Sequence, residues 1–316
     1  LNPSIGSKER VRLRDLKRRI AKSGEVGRSS RAFQVRYGLY VPNFCSVRSP
    51  CEYVKLAKEA ERTGWDGFFI WDHLVEWNKR VTVFDSFILL SAIAVNTKKI
   101  RIGTTVTPLP RLWPWTVARQ VATLDHFSNG RMILGVGLGG EESSDYERFG
   151  QSGDLKTLAE MVDESLLIIN GLWSGKWFSY ENGKHYHVGR SLFLPRPVQR
   201  PRIPIWVGGM WPRKGAFHRA ARWDGTIPLK DPGNLLKPNE LQQILRYLKS
   251  LRGNLSNFDV AVIGRTSGRN RQANSEKVSR YIDAGMTWWL ESLYTERDSL
   301  ERMLERIRLG PPVMQI

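Results

Sequence analysis

Two neighbouring side chains are placed to move protons: Asp72 and His73 directly follow the apolar run Gly67–Trp71. Histidine titrates near neutrality and can take or give a proton under ordinary conditions. The adjacent carboxylate could serve the same chemistry, or cap the following turn. Glycine-rich run ends form a second kind of candidate, because backbone without a Cβ can approach a ligand closely. One is Gly135-Val136-Gly137-Leu138-Gly139-Gly140, followed by Glu141 and Glu142; another is Gly208-Gly209-Met210-Trp211. The first resembles a dinucleotide fingerprint only loosely. It lacks an acidic residue ending the next strand and does not open the first strand–helix–strand unit. Close approach to a planar or phosphorylated ligand and plain turn geometry both remain as readings. Gly208-Gly209 precedes a helical pattern containing Arg213 and Lys214, so it reads as a turn whose amide N–H groups could meet a phosphate. Thr104-Thr105-Val106-Thr107-Pro108 and the stretch Trp289, Glu291 and Ser292 end two further runs.

Other chemistries find less support. His185 and His187 would share one face of a hairpin, but no third ligand is in evident reach, so no metal site is expected. Cys45 and Cys51 can form neither a disulfide framework nor a four-cysteine zinc site, and they fit a reducing, cytoplasmic setting. There is no Gly-x-Ser-x-Gly elbow and no Walker loop. Trp115, Trp177, Phe178, Trp211, Trp288 and Trp289 could wall an apolar pocket or pack a core.

The elements that must position these residues alternate regularly. Strand patterns occur at Val35–Val41, Gly67–Trp71, Ile100–Val106, Met132–Leu138, Ile203–Val207, Gly225–Leu229, Phe258–Ile263 and Thr287–Leu290. Helical patterns lie between them. The first opens with a capping box, Ser49-Pro50-Cys51-Glu52, and ends at Gly64. Near-continuous apolar strands alternating with helices specify a parallel sheet, and eight strands suffice to close a (β/α)8 TIM barrel. A doubly wound open sheet is the alternative. Trp177–Val188 reads as a β-hairpin turning at Asn182-Gly183, an enlarged insertion between helix 4 and strand 5, placed over one mouth of the barrel. In such a barrel the chemistry sits at the C-terminal strand ends, which is where the candidates fall.

The 316 residues include 49 Lys plus Arg and 31 Asp plus Glu, a formal charge of +18. Residues 1–33 are strongly basic and precede the periodic pattern. They read as a basic arm for an anionic polymer, an organellar-type presequence, or an extension outside the folded domain; this last reading leaves a barrel domain at 34–316. Basic residues interleaved with tryptophans keep a polyanion- or nucleic-acid-binding protein as a rival of another class. No helix-turn-helix, zinc-finger or RNP pattern is visible, so no nucleic-acid partner is expected. No apolar run approaches the ~20 residues that span a bilayer.

Residues 35–310 resemble the bacterial luciferase-like flavin- and deazaflavin-dependent oxidoreductases. The resemblance is carried by Ile102–Pro108, Pro114–Gln120, Ala122–Asp125, Ser128–Arg131 and the Gly135–Gly140 strand end. Gly67-Phe68, Asp72-His73, Asp145–Gly150, Pro204–Gly209 and Ala221–Gly225 support it. It implies a (β/α)8 barrel with reduced FMN, or coenzyme F420, at the C-terminal mouth. The ring would lie over the end of strand three, with Thr105, Val106 and Thr107 around it and a non-prolyl cis peptide between Thr105 and Val106. Gly137 and Gly139 would line the cofactor, and Gly208, Gly209 and Met210 would meet its phosphate. His73 with Asp72 would be catalytic, the histidine beside the reactive ring carbon in the deazaflavin branch. The hairpin would shape substrate access. FMN-dependent monooxygenation of a small organic substrate, apolar or aromatic, is the first expectation and F420-dependent hydride transfer the second. Related proteins are often dimers through early barrel helices.

Overall fold

The computed structural model describes residues 35–312, apart from 46, 48, 76–79, 140–143, 152, 231–234, 295–296 and 298. The basic segment 1–33 and the Gly140-Glu141-Glu142 stretch lie outside the described residues.

Eight parallel strands close on themselves: β1 (Arg36–Val41), β2 (Gly67–Ile70), β3 (Arg101–Thr104), β4 (Met132–Gly137), β5 (Ile205–Met210), β6 (Gly225–Leu229), β7 (Asp259–Gly264) and β8 (Trp288–Ser292). Each pairs with its chain neighbours, β4 pairs with β5, and β8 returns to β1 in the register Tyr37↔Trp289 and Leu39↔Glu291. The eight-strand expectation therefore resolves as a barrel, not an open sheet. The outer ring is α1 (Pro50–Arg62), α2 (Ser86–Asn96), α3 (Pro114–Phe127), α4 (Leu155–Trp173), α5 (Gly215–Ala220), α6 (Pro238–Arg252), α7 (Arg271–Asp283) and α8 (Leu300–Arg308). Among the described residues no helix is long and apolar enough to cross a membrane.

Local chemistry sets the helix ends. Ser49 caps α1: the Cys51 amide donates to Ser49 Oγ at 3.2 Å, and the Ser49 amide donates to Glu52 Oε2 at 3.4 Å. Gly64, at φ +87°, takes the left-handed position after the last turn. Asp85, Asp154 and Ser299 cap α2, α4 and α8 in the same manner.

Successive strand side chains alternate between the barrel interior and the helix layer. The interior core is small and aromatic: Phe69, Trp206 and Trp288 meet at 5.2–5.5 Å between ring centroids, with Ile133, Ile227, Ala261 and Leu290 around them. At the N-terminal end both indole N–H groups donate to Asp259, at 3.1 and 3.2 Å. This end is plugged, and the open end is the C-terminal one.

The hairpin departs from expectation. Its strands are Trp177–Tyr180 and Val188–Leu192, with Tyr180 opposite Val188, so the connection is the seven-residue loop 181–187 and not a two-residue Asn182-Gly183 turn. The loop is held by Glu164, whose carboxylate accepts the amides of Lys184, His185 and Tyr186 at 2.8–3.1 Å. Because it follows α4, the hairpin starts from the N-terminal end of the barrel. It runs along the outer flank of α4, and its loop reaches the start of α3, where the Tyr186 ring meets Trp113 and Trp115 edge-on at 6.1 and 6.3 Å.

Candidate functional site

The mouth has an apolar floor. Tyr40 from β1, Val106 after β3, Leu229 from β6 and Ile263 from β7 form the partly exposed layer on top of the interior core. Val106 is its centre. A Cβ on Gly137 would lie 2.8 Å from Val106 Cγ2, and a Cβ on Gly208 would lie 2.8 Å from Val106 Cγ1. The two glycines are therefore a socket for Val106, closed on both sides by bare backbone. The Thr105–Val106 peptide is cis, as the resemblance implies.

The turn expected at Gly208-Gly209 is instead strand. Gly208, Gly209 and Met210 pair with Ile227, Pro228 and Leu229 of β6, and α5 begins only at Gly215. Gly208 and Met210 face inward, whereas Gly209 faces α5, where a Cβ would strike Ala216 at 2.8 Å. Sheet pairing extends past Val207 because β6 continues to Leu229 and offers its backbone groups. Gly139 has φ +101° and packs against the Tyr146 ring, and the Tyr146 hydroxyl donates to the Leu138 carbonyl. This leads to an expected result: Gly208→Val should destabilise the fold by about 1–3 kcal/mol through overpacking. Val106→Ala should recover much of that loss in the double variant, read from urea unfolding midpoints. Equal, additive losses would mean that Val106 does not fill the socket.

His73 lies on the β2 side of the mouth and is exposed. Its backbone is clamped by buried Asn43, whose Oδ1 accepts the His73 amide at 3.2 Å while Nδ2 donates to the His73 carbonyl at 2.8 Å. Its ring meets Phe44 edge-on at 5.0 Å and Trp71 at 5.7 Å. Tyr40 and Tyr294 pack on the same Trp71, at 4.8 and 5.0 Å.

Asp72 is directed differently. Its Oδ1 pairs with Arg111 at 3.1 Å, and the same guanidinium donates to the Asp72 carbonyl at 2.8 Å. Burial pushes the carboxyl up, and the Arg111 charge opposes that shift. Thr107 is buried alongside, and neither its Oγ1 nor Asp72 Oδ2 has a hydrogen-bond partner among the described residues.

Of the residues singled out in the sequence, the structure brings Val106, Gly137, Gly208 and Met210 together on the floor, with His73 on the wall. Thr105 and Thr107 are buried beside Val106. Gly209 faces outward, and Gly139 lies at the exposed strand end. Sequence reading passed over Tyr40, Asn43, Phe44 and Arg111. Tyr40 was detectable from its inward phase on β1; Arg111 gave no signal before its fold partner was known. The suggested tryptophan wall is not assembled. Trp288 and Trp289 are fully buried on opposite faces of β8, Trp177 and Phe178 belong to the hairpin, and Trp115 stacks on Trp113 at 5.1 Å. The aromatic wall at the mouth is Tyr40, Phe44, Trp71 and Tyr294.

A flat, polar-edged ring suits this floor. Val106, Leu229 and Ile263 offer apolar contact. Thr105 Oγ1 and Trp71 Nε1 are buried without a protein hydrogen-bond partner. Burial also pushes the Tyr40 phenol well above its ordinary range, so it presents a proton and no charge.

Comparison with known proteins agrees with the barrel fold. An F420-dependent secondary alcohol dehydrogenase superposes with a TM-score of 0.73 at 17% identity, covering 88% of this chain and 98% of that one. An F420-dependent glucose-6-phosphate dehydrogenase from Nakamurella multipartita is 33% identical over 166 residues, 52% of this chain and 48% of its own. The oxygenase component of a flavin-dependent trigonelline monooxygenase from Acinetobacter baylyi is 29% identical over 168 residues, 52% and 45% of the two chains. The chain thus spans about half the length of these two relatives. The family described as luciferase-like monooxygenase matches residues 34–308, and this chain, a flavin- or F420-dependent oxidoreductase by kinship, belongs to that family.

Proposed function

We propose that the protein binds coenzyme F420 at the barrel mouth and transfers a hydride between it and a small organic substrate. The observation that carries this reading is His73, whose backbone Asn43 clamps and whose imidazole packs on Phe44 and Trp71 at the mouth. The F420-dependent relative supports the same choice. The deazaflavin, when bound, supplies the hydride chemistry. Val106 supports the ring from below, Gly137 and Gly208 keep Val106 in place, and Met210 borders the same floor. His73 takes or gives the substrate proton at an imidazole nitrogen. Tyr40, Phe44, Trp71 and Tyr294 exclude water and favour an apolar or aromatic substrate.

FMN-dependent monooxygenation is the second reading, favoured by the trigonelline monooxygenase relative. Titration of the purified protein with F420 and with FMN, followed by absorbance and fluorescence, separates the two. Micromolar F420 affinity with much weaker FMN binding supports the first reading, and the reverse overturns it. Binding of neither, with tight nucleic-acid binding, would favour the polyanion-binding alternative. A cytoplasmic setting accords with the two-cysteine sequence.

A homodimer belongs to the same proposal. Helix α2 is apolar around its whole circumference, with Ile88 and Val95 68% and 62% exposed on its outer face. Such a helix ordinarily has both faces covered. Ile88→Asp should therefore shift the protein from dimer to monomer in light scattering. A wild-type monomer at all concentrations overturns this.

A further inference from the structure

Away from the barrel mouth, a groove of about 490 Å³ runs between the ends of α1 and α8 and the start of α7. The charged side chains that line it are all basic. Arg62, Arg271 and Arg308 border it, and Asn274 lies at its wall. Arg62 and Arg308 share a single carboxylate, Glu59, at 2.8 and 2.9 Å. The two guanidinium groups hold Glu59 down at about 2, with Arg62 the larger cause. Part of this arrangement is structural, because both arginines lie in last helical turns, where a cation is favourable. Arg271 has no such explanation. It occupies the first turn of α7, where a cation is unfavourable, and has no acidic partner among the described residues.

Asn274 supplies an independent observation. It is 6% exposed, and its Oδ1 accepts the Ser267 amide at 3.1 Å and the Ser267 hydroxyl at 3.2 Å. A backbone N–H requires an acceptor, so this contact fixes the amide orientation and turns Nδ2 away from Ser267. Among the described residues Nδ2 has no hydrogen-bond acceptor. A solvent-accessible amide donor on an otherwise buried side chain and three guanidinium groups, opposed by one carboxylate, match a tetrahedral oxyanion.

We infer that this groove binds the phosphate group of a small phosphorylated molecule. The groove is molecule-sized rather than a track for a polymer, and the site is separate from the redox site. Phosphate is bound by Arg271 together with the free N–H groups of Arg308 and Asn274, and Glu59 keeps Arg62 and Arg308 in position.

The test is calorimetric titration of the full chain with inorganic phosphate and pyrophosphate, beside three variants. Arg271→Glu places an acid where the helix dipole favours one, so folding is spared. Asn274→Asp keeps the acceptor for Ser267 while replacing the free donor with a repelling charge. Lys176→Glu reverses an exposed charge elsewhere. Saturable binding weakened roughly tenfold or more by each of the first two variants, and unchanged by the third, is the expected result. No saturable binding at millimolar phosphate overturns the inference. So does weakening to the same degree by all three variants, which would mark diffuse attraction to a basic surface. Phosphate binding insensitive to Arg271→Glu and Asn274→Asp would place it elsewhere and also overturn the inference. F420 or FMN affinity, measured in parallel, should not change in any variant.

Discussion

Glu291→Ala should destabilise the protein by about 3–5 kcal/mol, the loss expected when one partner of a buried charge network is removed. Glu291 is fully buried on the outer face of β8. Its Oε1 accepts the Thr266 amide and Arg297 Nη1, both at 2.7 Å; its Oε2 accepts the Thr266 hydroxyl at 2.8 Å and the Trp289 indole at 2.9 Å. Arg306 lies 3.4 Å from Oε2 with its side chain only 2% exposed. Burial lowers the Arg306 affinity for its proton, and the Glu291 carboxylate opposes that shift. The alanine variant leaves that guanidinium without its counter-charge, and the Thr266 amide and Trp289 indole without their acceptor. Urea unfolding with an unchanged slope and a strongly reduced midpoint is the expected observation. Glu291→Gln should lose less, because the amide oxygen still accepts. A loss below about 1 kcal/mol for alanine would show that water replaces the carboxylate, as at an exposed pair.

His73→Ala should lower turnover roughly 100-fold while leaving cofactor affinity within a few-fold. The separation follows from geometry. Asn43 clamps the His73 backbone and Phe44 and Trp71 flank its ring on the wall, whereas the floor is built around Val106 by other strands. Removing the ring takes away a proton carrier without altering the socket. The loss should appear mainly in kcat, and His73→Gln, which keeps a hydrogen-bonding side chain but cannot titrate, should resemble alanine. An unchanged kcat would make His73 a rim residue and leave Tyr40 as the titratable group nearest the floor.

The barrel could be read from the sequence because its strands are separate apolar runs and its helix ends carry local signals, such as Ser49 with Glu52 and Gly64. The phase of side chains at the strand ends was harder to see. Glu291 and Ser292 looked equivalent as candidates, yet one pleat separates them, and Glu291 joins the helix layer. Gly208 and Gly209 looked like a turn because glycine pairs usually are; here a partner strand of matching length keeps them extended. The socket around Val106 joins three segments distant in sequence, so no local pattern contains it. Arg111 and Asp72 are likewise brought together only by barrel closure. The aromatic wall escaped notice because tryptophan and tyrosine serve cores and pockets alike, and only burial distinguishes them.

The hairpin on the flank of α4 has a consequence for how such a protein can change. Its strands leave and rejoin the barrel at the plugged end, and its loop is tied to Glu164 on a helix, not to any residue of the floor. Lengthening the loop costs little, about 0.6 kcal/mol for each doubling. Tyr186 of the same loop, however, packs edge-on against Trp113 and Trp115 at the start of α3, just past the end of β3. A lineage can therefore extend the tip freely at 181–185, while changes around Tyr186 carry over to the segment that leads away from the mouth.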